Sequence, residues 1–222
     1  MPMLHFRHAL RAGGKRTVPV LIDGATVLTD STDIVAWADA RRPGALLPAE
    51  PALRAEALAL ENELDRQLGP ATRRWGYAQI MPRGGDFDAF LGRGVPRWER
   101  QLFRLARPLA FAAMRRGMKI TPAGAERSRA KIDDVFARLG ARLEGGRRYL
   151  VGDRFTAADL TFAALAAPVL MPPEAPYGIG APDDFTGEAR ACLERWRASS
   201  AGQHALGLYA TERRAGVIPA PP

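Results

Sequence analysis

The chain has 222 residues, of which 47% are hydrophobic and 25% are charged, proportions typical of an ordinary globular protein. No apolar run approaches the roughly 20 residues of a membrane span, so we expect no membrane partner. The single cysteine, Cys192, excludes an internal disulfide and indicates a reducing, cytoplasmic location. With one cysteine and three histidines, the sequence favours no metal site.

The net charge is +8 and comes mostly from arginine. The arginines are scattered along helical segments or stand in short pairs, without a basic block that carries interleaved aromatic residues. We therefore interpret them as solvated helix faces and expect no nucleic-acid partner. A positive field still favours small anionic ligands, so an anion- or nucleic-acid-associated role is the weakest of the alternatives.

In residues 1–46, hydrophobic residues recur at a shorter spacing than in the rest of the chain. Residues 17–22 predict a strand, Asp23-Gly24 a two-residue type I′ turn, and residues 25–29 the returning strand. The triplet that begins at Asp30 provides helix N-cap chemistry, and this helix must end before Pro43. Pro19 is unusual within an apolar strand, because proline gives no N–H to a sheet ladder.

From residue 53 onward the hydrophobic period is helical. The first helix carries an apolar stripe at four-and-three spacing, formed by Leu53, Ala57, Leu60, Leu64 and Leu68. Later helices are predicted over residues 87–118, 121–143, 156–170, 187–199 and 202–214. We therefore divide the chain into a partial α/β domain, residues 1–46, and an all-α domain, residues 47–222.

The start of the helix at residue 156 has a complete set of helix-start residues. Thr156 can cap the helix, and Asp159 can accept from the backbone N–H of Thr156, which together form a capping box. Phe155 and Leu160 occupy the two positions of a hydrophobic staple. Thr156 and Asp159 are thus predicted to be structural residues.

Two separated blocks of the sequence resemble the glutathione S-transferase family. The first block consists of TVPVL (17–21), DSTDI (30–34) and LLP (46–48). The second consists of YLVGD (149–153) and FTAADL (155–160). The resemblance implies an α+β fold, in which a truncated thioredoxin-like α/β piece precedes an all-α helical bundle.

The resemblance also implies a glutathione-binding site. In that family the proline matching Pro19 is cis, and the backbone of the preceding residue, here Val18, pairs with the cysteinyl unit of glutathione. The family's acid–serine pair matches Asp30-Ser31, where the serine and the helix N-terminus hold the γ-glutamyl carboxylate and the acid pairs with the ammonium. We expect Ser31 to be the helix cap as well; a plain N-cap without a ligand is the alternative from local sequence.

The thiol-activating residue is left unknown. In the family, a strand–helix–strand unit precedes the segment that resembles this N-terminus, and its helix begins with the activating serine, tyrosine or cysteine. None of these residue types stands before Pro19, so we expect Met1 to be internal to a longer gene product. Without the neighbouring strand of that unit, the free edge of the first strand is expected to recruit other chains.

Other contacts are weaker expectations. Arg16 and Lys15 are candidate contacts for the glycyl carboxylate of glutathione, although solvated charge is the favoured interpretation. Six residues of the helical domain could line a pocket for an apolar co-substrate, but we favour simple core packing for them: Trp75, Tyr77, Met81, Phe111, Met114 and Met118.

The expected function is conjugation of the glutathione thiol to a small apolar electrophile by a cytoplasmic homodimer, with glutathione as co-substrate and no metal. The alternative is a non-catalytic member of the same fold that acts as a binding or assembly module. The sequence leaves the electrophile and the subclass open.

Overall fold

The structure is a computed structural model that describes residues 9–13, 18–83, 97–175 and 181–215. Its strands are β1 (Leu21–Asp23) and β2 (Thr26–Leu28). Its helices are α1 (Ser31–Arg41), α2 (Pro51–Ile80), α3 (Arg97–Gly117), α4 (Pro122–Arg142), α5 (Ala157–Leu170), α6 (Gly187–Ala198) and α7 (Ser200–Ala215). The predicted fold class, a small α/β piece followed by an all-α bundle, is confirmed. In the described ranges, no helix combines the length and the hydropathy that crossing a bilayer requires.

The hairpin is shorter than predicted, and its turn lies one residue later. Asp23 is paired with Thr26, so the two loop residues are Gly24 and Ala25 rather than Asp23 and Gly24. Gly24 has a φ of +57° and Ala25 does not have a positive φ, a pattern that fits a type II′ turn and not the predicted type I′. Pro19 lies before β1 rather than inside it, where its missing N–H interrupts no ladder.

A buried carboxylate joins α1 to the helical bundle. Asp39 is the buried residue of α1, and its Oδ1 accepts from the backbone N–H groups of Leu46 and Leu47, each at 3.0 Å. Burial raises the pKa of Asp39, but these two bonds and the nearby Arg54 outweigh burial and leave the pKa below its ordinary value. The carbonyl of Leu46 in turn accepts from Ala157 N at 2.8 Å, at the start of α5. The small α/β piece is therefore tied to the bundle through polar bonds.

The core lies around α2, which packs most extensively against α5 and α4. Ala57, Leu60, Leu64 and Leu68 are all buried, and Leu53 is half-buried against them, as the predicted stripe requires. Gly69 lets α2 and α5 approach closely, since a Cβ at this position would meet Leu165 Cδ2 at 3.2 Å. Burial of this stripe contributes to the hydrophobic stabilisation of the bundle.

The capping box at the start of α5 is part of a larger buried network. Asp159 is fully buried, and its Oδ2 accepts from both the backbone N–H and the hydroxyl of Thr156, each at 3.0 Å. Its Oδ1 accepts from Leu150 N at 2.9 Å and lies 3.0 Å from His204 Nε2 on α7. This carboxylate therefore connects α5, the loop before it and α7.

We expect Asp159→Ala to destabilise the protein without a direct effect on ligand binding. The substitution leaves two buried N–H groups without an acceptor, which should cost about 3 kcal/mol and lower Tm by about 10 °C. Thermal unfolding followed by circular dichroism measures this, with the exposed Asp153→Ala as the matched control. Equal Tm values for the two variants would contradict the structural role of Asp159.

Candidate functional site

The strand register brings two predicted site segments to one end of the hairpin. β1 begins at Leu21, which lies opposite Leu28, the last residue of β2. Because paired antiparallel strands run in opposite directions, the residues just before β1 and those just after β2 leave the sheet at the same end. Val18-Pro19 and Asp30-Ser31 therefore flank one end of the hairpin.

Val18 presents its backbone at this end. Val18 is 61% exposed, and the Val18–Pro19 peptide bond is cis, as the family resemblance implied. Within the described part of the chain, no backbone hydrogen bond uses the N–H or the C=O of Val18. These two groups are available to pair with an extended ligand backbone.

The first turn of α1 shows that one sequence prediction was wrong. The N-cap is Asp30, whose Oδ1 accepts from Thr32 N at 2.9 Å; Ser31 is the first residue of the helix and not its cap. An aspartate caps as well as a serine, and the extended backbone of Asp30 aims its carboxylate at the second helical N–H. The Ser31 hydroxyl is exposed and makes no hydrogen bond to the described residues. Among the described residues, none competes with a ligand for this hydroxyl.

A buried glutamate that the sequence analysis missed lies behind this turn. Glu61 on α2 is only 2% exposed, and its Oε1 accepts from Thr32 Oγ1 at 2.7 Å. Its Oε2 is buried and has no hydrogen-bond partner among the described residues. A signal was present, because Glu61 occupies a place in the apolar stripe between Ala57 and Leu64 at four-and-three spacing.

Asp30, Glu61 and Asp65 interact electrostatically and are called the carboxylate cluster below. Burial raises the pKa of Glu61 above its ordinary value; the bond from Thr32 opposes this, and Asp65 and Asp30 add to it. Burial also raises the pKa of Asp65, with a further increase from Asp30 and an opposing effect of Arg73. The cluster therefore attracts a positive group or retains protons.

These features combine opposite electrostatic preferences in a small region. The N-terminus of α1 carries unsatisfied N–H groups and the positive end of the helix dipole, which favour an anion. The carboxylate cluster beside it favours a cation. An α-amino acid group, with one carboxylate and one ammonium on the same carbon, satisfies both preferences.

The other predicted contacts fall into two groups. Lys15 and Arg16, the candidate glycyl-carboxylate contacts, lie outside the described residues, as does Thr17. Of the candidate pocket residues, Trp75 and Met81 are buried, and the Trp75 ring packs edge-on against Trp196 with centroids 4.8 Å apart. Trp75 and Met81 are therefore core residues, which is the interpretation that we favoured from the sequence. Over the described ranges, no group of side chains is suited to hold a metal ion.

Comparison with known families identifies two matching models. The model for the N-terminal domain of glutathione S-transferases matches residues 1–46, and the model for the C-terminal domain matches residues 122–199. Together they match more than half of the chain. Among curated proteins, no match was found.

Several crystal structures are similar to this chain. The β-etherase LigF from Sphingobium sp. strain SYK-6 has a TM-score of 0.53 and 22% identity, over 92% of this chain and 82% of its own. Ure2p5 from Phanerochaete chrysosporium, cocrystallised with 1-(S-glutathionyl)-2,4-dinitrobenzene, has a TM-score of 0.48 and 19% identity, over 92% and 79%. Human glutathione transferase theta-2, in complex with glutathione and an unknown ligand, has a TM-score of 0.44 and 19% identity, over 91% and 72%. The similarity to the β-etherase shows a shared fold.

Proposed function

The chain belongs to the glutathione S-transferase family, and we propose that it binds glutathione at the N-terminus of α1 and transfers the thiol to a small apolar electrophile. The observation that carries this proposal is that the Val18 backbone and the first turn of α1 both lie at one end of the hairpin. Glutathione presents a matching series of groups, namely an amino acid zwitterion and an extended peptide backbone.

Each part of the ligand has a partner in this proposal. The γ-glutamyl carboxylate accepts from the Ser31 hydroxyl and from N–H groups of the first turn of α1. The ammonium pairs with Asp30, since only Oδ1 of this carboxylate is used by the cap. The cysteinyl unit pairs with the N–H and C=O of Val18, next to Pro19. Contacts of Lys15 and Arg16 with the glycyl carboxylate remain part of the proposal.

The thiol activator is not assigned, so binding and turnover need separate measurements. Retention on immobilised glutathione and elution by free glutathione test binding. Spectroscopic detection of a conjugate with an activated aryl halide tests transfer, which requires a donor aimed at the thiolate sulfur. Binding with turnover supports the enzyme, whereas binding without turnover favours the alternative, a non-catalytic module of the same fold.

We expect Ser31→Ala to weaken glutathione binding without lowering stability. Because Asp30 is the cap, the substitution removes no helix-capping bond, and alanine is well tolerated at the first helical position. Loss of a hydrogen bond to a charged carboxylate should cost about 1.5–3 kcal/mol, or roughly a tenfold to a hundredfold increase in Kd. Isothermal titration calorimetry measures Kd, and thermal unfolding measures stability.

The matched control is Ser200→Ala, the same change at the first residue of α7. There too the cap is the preceding residue, because Ser199 Oγ accepts from Gly202 N at 3.1 Å. This variant should bind glutathione like the wild type. An unchanged Kd in Ser31→Ala would show that the serine does not contact the ligand. A fall in its Tm relative to Ser200→Ala would contradict Asp30 as the cap.

We also propose that the protein is a cytoplasmic homodimer whose contact includes α3. Trp98, Leu105 and Leu109 are 62%, 82% and 77% exposed. Their spacing of seven and four residues places them on one face of the helix. A stripe of large exposed apolar side chains marks an interaction site, and a second copy of the chain is the partner that the family membership favours. The cytoplasmic location rests on the single, buried Cys192.

We expect Leu105→Glu and Leu109→Glu to shift the protein from dimer to monomer. The two side chains are exposed in the single chain, so a charge there should leave the fold intact and oppose only the burial of this face against a copy. Light scattering after size-exclusion chromatography measures the mass. Ala130→Glu, an exposed position on α4, is the control and should remain dimeric. A monomeric wild type, or dimeric leucine variants, would contradict the proposed contact.

A further inference from the structure

Glu61 has no role in the contacts assigned so far, yet it is buried beside them. Its Oε1 holds the Thr32 hydroxyl at 2.7 Å in the first turn of α1, directly after Ser31. Its buried Oε2 has no partner within the described chain. A buried carboxylate oxygen without a donor is costly when the group is ionised, which favours a bound proton in the free protein.

The charged groups around Glu61 increase this cost. Asp30, which precedes α1, and Asp65, one turn further along α2, act on Glu61, and both are negative. Arg73 lies on the same helix and acts on Asp65. Among the described residues of α4 and α5, the other helices packed on α2, no charged group contributes to the pKa of Glu61. Within the described ranges, no positive side chain therefore acts directly on Glu61.

We propose that binding of the ligand's ammonium at the N-terminus of α1 is coupled to the release of a proton from the buried carboxyl groups behind it, chiefly from Glu61. This inference rests on the proposed function, since it requires a ligand with an ammonium beside Asp30. Glu61 contacts Thr32 and not the ligand, so it is a positioning residue that acts through Thr32 and through its charge.

The direction of the coupling follows from the charges. A positive group placed beside the cluster stabilises the ionised carboxylates and lowers the pKa of Glu61 relative to the free protein. Between the two pKa values, binding converts a carboxylic acid to a carboxylate, and the proton passes to the buffer. Affinity therefore rises with pH within this window, by at most about tenfold per pH unit for one proton, and becomes independent of pH above it.

The experiment counts protons by calorimetry at pH 5.5, in two buffers that differ in ionisation enthalpy. The probe is S-methylglutathione, whose blocked thiol cannot contribute a proton. We expect the wild type to release a measurable fraction of a proton and Glu61→Gln to release clearly less. Glu63→Gln, the same change two residues along α2 where the side chain pairs with Arg138, should behave as the wild type. The deaminated analogue of the probe should release none.

The outcomes separate this inference from the proposed function. If S-methylglutathione binds without net proton exchange, or if Glu61→Gln releases as many protons as the wild type, the coupling is overturned and the binding site stands. Equal release with the deaminated analogue overturns the role of the ammonium. Absence of any binding overturns both proposals. Should Glu61→Gln fail to fold by circular dichroism, Asp65→Asn, at a half-buried position, replaces it: loss of this negative neighbour lowers the pKa of Glu61 in the free protein and should reduce the proton release, and unchanged release would overturn the coupling.

Discussion

The attachment of α1 to the rest of the fold by two buried carboxylates, Asp39 and Glu61, is the constraint on which the candidate site depends. Asp39 is the one residue of α1 that is buried, so apolar contacts alone hold this helix weakly. Near the C-terminal end of α1, Asp39 accepts from two backbone N–H groups, and in the first turn of α1, Thr32 donates to Glu61. Hydrogen bonds to an ionised carboxylate such as Asp39 contribute about 1.5–3 kcal/mol each, and the bond from Thr32 to Glu61 adds a second point of attachment. The N-terminus of α1 is thereby held at the end of the hairpin.

This attachment also explains the electrostatic character of the site. A helix held through carboxylates brings negative charge close to its positive end, where Asp30 already caps the first turn. The same region then combines the N–H groups of the first helical turn, which favour an anion, with the carboxylates of Asp30, Glu61 and Asp65, which favour a cation. The recognition of a zwitterion that we propose follows from the way the helix is anchored, and it links the structural role of Glu61 to the proposed proton release.

Much of the architecture could be predicted from local pattern. The apolar stripe of α2 and the helix start at Thr156 depend on spacing within one segment, which a sequence displays directly. The choice between Asp30 and Ser31 as the cap was wrong because both residue types cap equally well. Glu61 and Asp39 were missed because their partners are distant in sequence or belong to the backbone, and a carboxylate among leucines reveals that it is unusual without revealing its partner.

The most direct test of the account is to map glutathione binding by amide chemical shifts of the ¹⁵N-labelled protein, with S-methylglutathione as the ligand. The account predicts that the largest shifts occur at Val18, Ser31 and Thr32. Smaller shifts should reach Glu61 and Asp65 on α2. Saturable shifts confined to another surface, such as the cleft lined by Trp75 and Arg129, would contradict the central claim that the ligand binds at the N-terminus of α1.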